Sequence, residues 1–464
     1  MREYFSADRA RSTVMNALAK QAAEFPNLTL TAFESKDLSD RDAAFAHAVY
    51  DAVIRRWITL GYLIEQYTPR PFRENEPQTQ AALLAGAAQM IFMDKVPPHA
   101  AINASVEWVK NATRSSVGGF VNAVLRKVGS LVATPGESPM QLPERTYRPS
   151  WANRADEVPL SDGRALVLRA AVLPPDPIIR LAVATSHPST LVQHWCETFG
   201  FERAQQMVTH DLCDPPTTLC TVHAWPPITE FCTPHRLGAS SVFTGGRDDL
   251  ASLLAERSDV WVQDAASSLA VQRLRAWKSG TDWVGEGVII DVCAGQGTKT
   301  RQLAAAFPKA TIIAADPAPE RARTLTQVAA KIGPRVKVVP LPDVYRNWQA
   351  KAALVLLDVP CTNLGVLARR VEAKYRFDAA QTQRLVETQR QILESGIKLL
   401  SPKGVLCYST CSIDPAENVE QLDWVLAGGD LKLEWQEQTL PGGLPGEDPA
   451  CYHDGAFAAM MVRL

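Results

Sequence analysis

The first 128 residues repeat apolar positions at helical spacing. One helix is predicted to begin after Ser39, a favourable N-cap residue. Its apolar positions fall four residues apart on one face, at Phe45, Val49, Val53 and Trp57. Further apolar helices are predicted over 81–93, 100–110 and 120–128. Together these patterns predict an all-α domain over residues 1–128.

The middle of the chain shows weaker patterns. Residues 129–175 lack periodicity and are rich in Pro, Arg and Ser, which predicts a linker. Helical patterns over 188–199 and 202–210 precede a short strand candidate at 217–222. Residues 176–257 are therefore expected to form a small α+β module.

From residue 258 onward, short apolar runs alternate with helical segments. Such runs, bounded by turns, are typical of buried parallel strands. They lie at 288–291, 311–315, 336–339, 353–357 and 405–408. The pattern predicts an α/β domain over 258–464 with a doubly wound, mostly parallel sheet. Ligands of such sheets bind outside the carboxyl ends of the strands.

The composition is that of a globular protein with more than one domain. Of 464 residues, 46% are hydrophobic and 21% are charged. The net charge of −2 gives no sign of nucleic-acid binding, so any such surface would be a local cluster of Lys and Arg. The nine cysteines lack metal-ligand spacing. This spacing predicts a protein without a metal site. The sequence also lacks a bilayer-spanning apolar run and a secretory signal, so we expect a cytoplasmic protein.

The turn after the first predicted strand has the composition of a ligand-binding loop. It follows Asp291 and contains small residues, which let the backbone approach a ligand closely. It matches neither the GxGxxG dinucleotide pattern nor the P-loop, so an adenosyl group without phosphates fits it better. The candidate cofactor-binding residues in this turn are Cys293, Ala294, Gly295, Gln296, Gly297, Thr298 and Lys299.

Acidic residues follow the next three predicted strands. Asp316 stands nineteen residues after Gly297, the distance at which an acid typically holds a ribose hydroxyl pair. Asp343 follows the third strand and is placed to meet an adenine edge, and Asp358 ends the fourth strand. With Asp291, four acids at successive strand ends favour a cofactor site. The alternative is that some are only helix caps or solvated turn residues.

Two cysteines follow strands at the same edge of the predicted sheet. Cys361 comes directly after Pro360, and Cys411 comes directly after Thr410. A buried cysteine is usually core filler, but these two stand in polar turns among Asp, Thr, Ser and Asn. Both are therefore candidates for catalysis.

The two cysteine turns resemble the paired motifs of the RNA 5-methylcytosine methyltransferases of the Sun/Fmu superfamily. This resemblance implies a Rossmann-like methyltransferase domain with S-adenosylmethionine as cofactor. It also implies that Cys411 is the covalent nucleophile and that Cys361 assists product release. Asp358 is placed to hydrogen-bond the cytosine ring, and Lys299 to orient the base from the cofactor turn.

The helical region restricts the resemblance to one family within this superfamily. Segments 89–92, 96–103 and 119–126 are similar to the helical domain of the bacterial small-subunit ribosomal RNA methyltransferase B family. That domain resembles NusB, an RNA-binding helical fold, so the implied partner is small-subunit (16S) ribosomal RNA, free or partly assembled, and the implied state is a monomer. Two alternatives stay open: a 5-methylcytosine transferase acting on transfer RNA, and a catalytically silent ribosome-assembly or antitermination factor.

The chain departs from the family pattern at several positions. Gln296 and Thr298 stand in the cofactor turn, where the family has Pro-Gly-Gly-Lys ending at the position of Lys299. Thr362-Asn363 replaces the usual Ser-Gly after the Pro-Cys pair, and Val371 replaces the proline of an Arg-His-Pro segment. A usual Leu-Arg-Val-Asn strand reads Leu219-Cys220-Thr221-Val222-His223 here. This departure and the one at Val371 leave the details of RNA contact open.

Basic residues of the helical region could form a patch for RNA. Cations near helix C-termini are also expected from the helix dipole alone, so both interpretations stay open. The residues concerned are Arg9, Arg11, Arg55, Arg56, Arg126 and Lys127.

Overall fold

The computed structural model describes residues 2–29, 37–132, 144–279 and 285–464, without the side chains of residues 2–8 and 278–279. The chain forms two compact units. The first comprises Met1–Asp214, Leu367–Phe377 and Leu444–Gly446. The second comprises Pro215–Val366, Asp378–Gly443 and Glu447–Leu464.

The first unit is mainly helical, and its elements begin and end where the sequence offers caps and prolines. Ser39 caps the second helix through its side chain, and Pro77, Pro98 and Pro177 each lie in the first turn of a helix. The helices are α1 (Arg2–Glu24), α2 (Asp40–Glu65), α3 (Pro77–Phe92), α4 (Pro98–Ala112), α5 (Val117–Val132), α6 (Pro177–Thr185), α7 (Ser189–Phe199) and α8 (Phe201–His210).

The helices predicted for residues 1–128 are confirmed, and α3 lies at the centre of their core. All residues of α3 from Thr79 to Ile91 are buried. It packs against α1, α2, α4 and α5. Because α3 is apolar on every face, it can be stable only when surrounded by other helices.

The expected linker contains a small antiparallel sheet instead. Its strands are β1 (Thr146–Arg148), β2 (Glu157–Pro159) and β3 (Ala165–Val167), in the order β1-β3-β2. Each has three residues, too few for a period-2 pattern to be visible in the sequence. Val158, Leu166 and Leu168 are buried and join the hydrophobic core of the helical unit. The prediction of a linker over 129–175 is therefore wrong for residues 144–175, and residues 129–132 belong to α5. Residues 133–143 lie outside the described residues.

Helix α2 is kinked at Arg56, where φ is −120° and ψ is 20°. A kink frees backbone groups, which must find other partners when buried. Ser186 Oγ accepts a hydrogen bond from the Ile58 amide, and the Tyr375 hydroxyl donates to the Ile54 carbonyl. The Lys374 ammonium donates to the Arg55 carbonyl. The segment 367–377 therefore completes the fold of the helical unit.

The proposed basic patch is only partly on the surface. Arg11 is 9% exposed, donates to Gln89 and lies over the ring of Phe45. Arg56 is 5% exposed, donates to two backbone carbonyls, and burial lowers its pKa to about 10. These two arginines have structural roles, so the RNA-patch interpretation, one of the two left open, does not apply to them. Arg9, Arg126 and Lys127 are exposed.

The second unit is built on a seven-stranded sheet in the order β10-β9-β8-β11-β12-β14-β13. The first five of these strands are parallel, while β14 pairs antiparallel with both β12 and β13. This confirms the predicted Rossmann-like, mostly parallel sheet. The strands are β8 (Val288–Asp291), β9 (Thr311–Ala314), β10 (Val336–Val338), β11 (Ala352–Asp358), β12 (Leu400–Thr410), β13 (Leu431–Thr439) and β14 (Ala456–Arg463).

Helices connect the strands of this sheet. Buried residues of β8, β9, β11 and β12 form two hydrophobic clusters, as expected of a sheet covered on both faces. The helices of the unit are α9 (Arg247–Glu256), α10 (Ala265–Ser279), α11 (Thr298–Ala306), α12 (Pro319–Ile332), α13 (Leu341–Asn347), α14 (Ala379–Leu399) and α15 (Val419–Leu426).

The predicted α+β module of residues 176–257 is divided between the two units. Helices α6–α8 lie in the first unit, where Val183 and Ala184 join its hydrophobic core. The remaining strands form a four-stranded sheet, β5-β6-β4-β7, in the second unit. They are β4 (Thr217–Cys220), β5 (Cys232–Pro234), β6 (Ser240–Phe243) and β7 (Trp261–Val262). Within the described ranges, no helix has the length and hydropathy that crossing a bilayer requires.

Candidate active site

The predicted site residues follow strands whose carboxyl ends lie along one edge of the sheet. Asp291 at the end of β8 is in register with Leu356 of β11 and with Ala314 of β9. Asp358 at the end of β11 pairs with Ser409 of β12. The cofactor turn and both cysteine turns therefore leave the sheet at the same edge, as ligand sites of α/β sheets do.

The cofactor turn depends on two glycines in the left-handed region. Gly295 has φ +57°, and a Cβ placed there would meet no atom within 4 Å, so the turn faces open space. Gly297 has φ +94°, and its Cβ would lie 2.9 Å from a methyl of Leu325. Gln296 and Thr298, the departures from the family pattern, are compatible with this tight turn into α11.

Asp316 lies against the cofactor turn. Its Oδ2 accepts a hydrogen bond from the Gly295 amide at 3.0 Å. Its Oδ1 accepts from the Ala318 amide at 2.8 Å and from Nε of Arg321 at 2.9 Å. A carboxylate has about four acceptor positions, so these bonds leave about one for a ligand hydroxyl.

Asp343 lies in the first turn of α13, where an acid is also favoured by the helix dipole. It accepts a hydrogen bond from Arg346 at 3.0 Å and is 41% exposed. Its contact with an adenine edge stays a prediction.

Asp291 is fully buried beneath the turn. Its Oδ2 accepts a hydrogen bond from the Thr300 hydroxyl at 2.6 Å, while Oδ1 has no hydrogen-bond partner among the described residues. Burial raises the pKa of this carboxyl to about 7. Burial also raises the pKa of the neighbouring Cys293 thiol, so Cys293 can serve a ligand through its backbone but not as a thiolate.

The donors and acceptors of this turn fit an adenosyl cofactor. The open face at Gly295 admits a ligand close to the backbone, and the Asp316 carboxylate lies beside it. The cation of the turn, Lys299, is engaged by Asp358, so no charge in the turn is left for a phosphate. These observations match S-adenosylmethionine better than a phosphorylated nucleotide.

Lys299 and Asp358 form an ion pair between the cofactor turn and the end of β11. Nζ of Lys299 lies 2.8 Å from Oδ2 of Asp358 and 3.3 Å from Oγ of Ser267. Burial by itself would lower the pKa of the Lys299 ammonium, but the Asp358 carboxylate outweighs burial and raises it. Lys299 therefore stays charged at neutral pH.

The two candidate catalytic cysteines are in contact. Their Sγ atoms are 3.2 Å apart, and Sγ of Cys411 donates to Oδ1 of Asn363 at 3.2 Å. The hydrogen bond with Cys411, together with burial, raises the pKa of the Cys361 thiol well above its ordinary value. Cys361 is therefore a neutral thiol at rest.

A buried glutamate that the sequence did not single out holds the Pro-Cys turn. Glu417 accepts hydrogen bonds from the amide and the hydroxyl of Thr362 and from Nε2 of Gln389. Burial raises the pKa of its carboxyl. The segment Asp414–Asn418, which follows the Cys411 turn and holds three polar residues, is the sequence signal that could have identified it.

Gly365 joins the two cysteine turns through the backbone. Its amide donates to the Cys411 carbonyl at 2.9 Å, and its carbonyl accepts from the Gly455 amide at 2.6 Å. A Cβ at this position would lie 2.7 Å from the carbonyl oxygens of both Cys411 and Gly455. Only glycine fits here, so the turn is fixed close to Cys411.

Two family models match the chain. Residues 282–442 match the model of the 16S rRNA methyltransferase RsmB/F family, and residues 8–130 match the NusB family. Together with the sheet and the cofactor turn, these matches define an S-adenosylmethionine-dependent methyltransferase.

Similarity to curated relatives extends over most of the chain. The ribosomal RNA small subunit methyltransferase B of Cronobacter sakazakii is 25% identical over 438 residues, covering 92% of each protein. The protein of the same name from Xylella fastidiosa (strain 9a5c) is 27% identical over 438 residues, covering 91% of this chain and 92% of the relative. The chain is therefore similar to these RsmB/F-type methyltransferases over about nine tenths of its length.

The fold is also that of a solved structure. The crystal structure of PH0851 superposes with a TM-score of 0.68 at 17% identity and covers 98% of both chains. At that identity, the likeness shows the fold alone.

Proposed function

We propose that this protein transfers a methyl group from S-adenosylmethionine to carbon 5 of a cytosine in small-subunit ribosomal RNA, with Cys411 as covalent nucleophile. The observation that carries the proposal is the contact of Cys411 with Cys361 at the sheet edge that also holds the Lys299–Asp358 pair. The substrate rests on the family and on the names of the relatives.

Carbon 5 of cytosine is a poor nucleophile, and covalent catalysis by Cys411 would activate it. A Cys411 thiolate that adds to carbon 6 breaks the aromatic system and makes carbon 5 an enamine carbon. When bound, S-adenosylmethionine supplies the electrophilic methyl group that this carbon attacks. Gly295 and Asp316 are the residues proposed to hold the cofactor beside the base.

Cys361 is proposed to handle the proton that leaves carbon 5. A neutral thiol is a poor base, and the raised pKa of Cys361 keeps it neutral at rest. Once Cys411 is bonded to carbon 6, it is no longer a free thiol that shares a hydrogen bond with Cys361, so the first cause of the raised pKa is removed. Cys361 can then release its own proton to solvent, and the resulting thiolate takes the proton from carbon 5 while the electrons of that C–H bond form the C5–C6 double bond and expel Cys411 as a thiolate.

Asp358 and Lys299 are proposed to position the base. In this proposal the Asp358 carboxylate accepts a hydrogen bond from the exocyclic amine of the cytosine, and a second one from ring nitrogen N3 when that nitrogen becomes protonated, which favours adduct formation. The Lys299 ammonium fixes Asp358 at 2.8 Å and orients the base from the cofactor turn. Two groups held in this way lower the entropy cost of reaching the reactive geometry.

The target cytosine must leave its stack to reach the two cysteines. Unstacking costs a few kcal/mol and is easiest in a loop or another unpaired region. The NusB-family region is proposed to bind the RNA that presents this loop. We further propose that the enzyme acts as a monomer in the cytoplasm.

A methylation assay tests the proposal. Total RNA from a strain that lacks the gene is incubated with the purified protein and labelled S-adenosylmethionine. Label is expected in small-subunit ribosomal RNA as 5-methylcytosine, and Cys411→Ala should abolish transfer while leaving cofactor binding near normal. Label in transfer RNA would favour the alternative substrate. Turnover within tenfold of wild type in Cys411→Ala would refute the nucleophile.

A further inference from the structure

Asn363 has a backbone conformation that few residues other than glycine adopt. Its φ is +62°, in the left-handed region. The resemblance stated above places a glycine at this position in related proteins, and asparagine is among the residues that tolerate the region best. Asparagine in place of glycine keeps the turn and adds a side-chain carboxamide.

The Asn363 carboxamide contacts both cysteines. Its Nδ2 donates to the Cys361 carbonyl oxygen at 3.0 Å, and its Oδ1 lies 3.2 Å from Sγ of Cys411. A backbone carbonyl can only accept, so the bond to Cys361 requires the amide nitrogen on that side. The oxygen must then face Cys411.

The direction of the Cys411 hydrogen bond follows from this orientation. An amide oxygen has no proton to give, so the Cys411 thiol must be the donor. This bond exists only while Cys411 keeps its proton. Because the Cys411 proton is already engaged in the hydrogen bond to Asn363, Cys361 must be the donor in the contact between the two Sγ atoms, which are 3.2 Å apart.

We propose that Asn363 is a positioning residue that keeps the Cys411 thiol protonated and oriented in the resting enzyme. This inference rests on the proposed function only in treating Cys411 as the nucleophile. Asn363 opposes formation of the thiolate, because ionisation would leave its oxygen facing a negative charge. It is thus a feature of this chain that a glycine at the same position lacks.

Other groups around Cys411 act on its charge in different directions. The Lys299 ammonium on α11 interacts electrostatically with Cys411 and favours the thiolate. Asp358 at the end of β11 is paired with Lys299 and weakens that effect. Cys361 favours the thiolate by donating its thiol proton, while Glu417 is bonded to Thr362 and acts mainly on Cys361. Asn363 therefore acts in the direction opposite to Lys299 and Cys361.

Thiol alkylation tests the inference on the full-length protein without RNA or cofactor. Iodoacetamide reacts with the thiolate, so the rate at Cys411, followed by peptide mass spectrometry across pH 6 to 10, reports its ionisation. Asn363→Gly relieves the backbone strain and removes the hydrogen bond. It should speed alkylation at pH 7 by about 2- to 12-fold, the range of one hydrogen bond. Asn363→Asp should slow alkylation, because it places a negative charge beside the thiol.

A matched control separates this effect from a change in the backbone. Asn153 also has a positive φ, of 50°, and lies in the helical unit. Asn153→Gly should leave alkylation of Cys411 unchanged. An unchanged or slower rate in Asn363→Gly would overturn the inference.

A second readout uses the pH profile of methyl transfer. In Asn363→Gly, the acidic limb of kcat should move to lower pH, while the KM for S-adenosylmethionine stays unchanged. A limb that stays in place would contradict the role. Because alkylation needs no RNA, its result is independent of the methylation assay: an active Cys411→Ala variant would refute the proposed function and leave the alkylation result standing.

Discussion

The Sγ atoms of Cys361 and Cys411 lie 3.2 Å apart although the residues are 50 positions apart in the chain. The register of β11 with β12, which pairs Asp358 with Ser409, brings the two turns side by side. The backbone bond from Gly365 to Cys411 then fixes their separation. A cytosine adduct on Cys411 would therefore form within reach of Cys361.

Removal of the Cys361 thiol should trap the reaction at the adduct. Without Cys361, the proposed acceptor for the proton on carbon 5 is lost, so Cys361→Ala should accumulate a covalent complex with RNA through Cys411. A denaturing gel should show a slowly migrating band that depends on both RNA and S-adenosylmethionine. The double variant Cys361→Ala/Cys411→Ala is the control and should lack the band. If the single variant binds RNA yet forms no band, Cys361 is only structural.

Loss of the Asp316 carboxylate should weaken cofactor binding. A hydrogen bond to a charged group contributes about 1.5–3 kcal/mol, so Asp316→Ala should raise the Kd for S-adenosylmethionine by about 10- to 150-fold. Calorimetry measures this directly. Arg321→Ala is the control, because it removes the exposed partner of Asp316 but keeps the acceptor, and its Kd should change little. An unchanged Kd in Asp316→Ala would mean that another residue contacts the ribose.

The buried Asp291 should make the stability of the protein fall between about pH 4 and pH 7. Its pKa is raised from 3.8 to about 7 by burial, so in this window the unfolded chain has lost a proton that the folded protein keeps. The unfolded state then binds fewer protons, and the free energy of unfolding decreases as pH rises, with no further loss above about pH 7.

Asp291→Asn should remove this dependence. Its urea midpoint relative to wild type should be higher at pH 8 than at pH 5, because the amide carries no charge to bury. Asp430→Asn, at an exposed position, is the control and should show the same difference at both pH values. An equal difference in Asp291→Asn at pH 5 and pH 8 would mean that Asp291 is ionised in the folded protein throughout.

The glycine between the two cysteine turns should not tolerate a side chain. In Gly365→Ala, the new Cβ would lie 2.7 Å from two backbone carbonyl oxygens, and neither can move without shifting a strand end. Such overpacking costs about 1–3 kcal/mol, which should appear as a lower urea midpoint together with reduced methyl transfer. Gly119→Ala, on an exposed turn of α5 where a Cβ meets no atom within 4 Å, should be neutral or stabilising by up to about 1 kcal/mol. Equal midpoints for the two variants would show that the turn around Gly365 can adapt.

Much of the sheet and its edge could be predicted because each strand is visible as an apolar run within a short stretch of sequence. β8 covers the predicted residues 288–291, since a buried parallel strand is a short apolar run with a clear end. Cys361 and Cys411 could be placed at one edge for the same reason. The strands at 146–148, 157–159 and 165–167 are too short to show a period.

What the sequence could not show depends on contacts between distant residues. The bond of Asn363 to Cys411 spans 48 positions, and that of Glu417 to Thr362 spans 55. No periodicity reports such pairs. The burial of Arg11 could not be predicted either, because a basic residue in a helix is usually exposed, whereas Gln89 and Phe45 give this one a buried site.

The exposed cations at the end of α5 should contribute to RNA binding. Arg126 and Lys127 are exposed, unlike Arg11 and Arg56, and lie in the region that matches the NusB family. If both contact phosphates, Arg126→Glu/Lys127→Glu should raise the KM for RNA and reduce the slope of log K against log salt by about two, because two fewer counterions are released. The Kd for S-adenosylmethionine should not change. Lys20→Glu, an exposed charge reversal in α1, is the control for net charge and should have a smaller effect. An unchanged salt slope in the double variant would mean that the RNA meets this region at another face, or that the helical unit docks a protein instead.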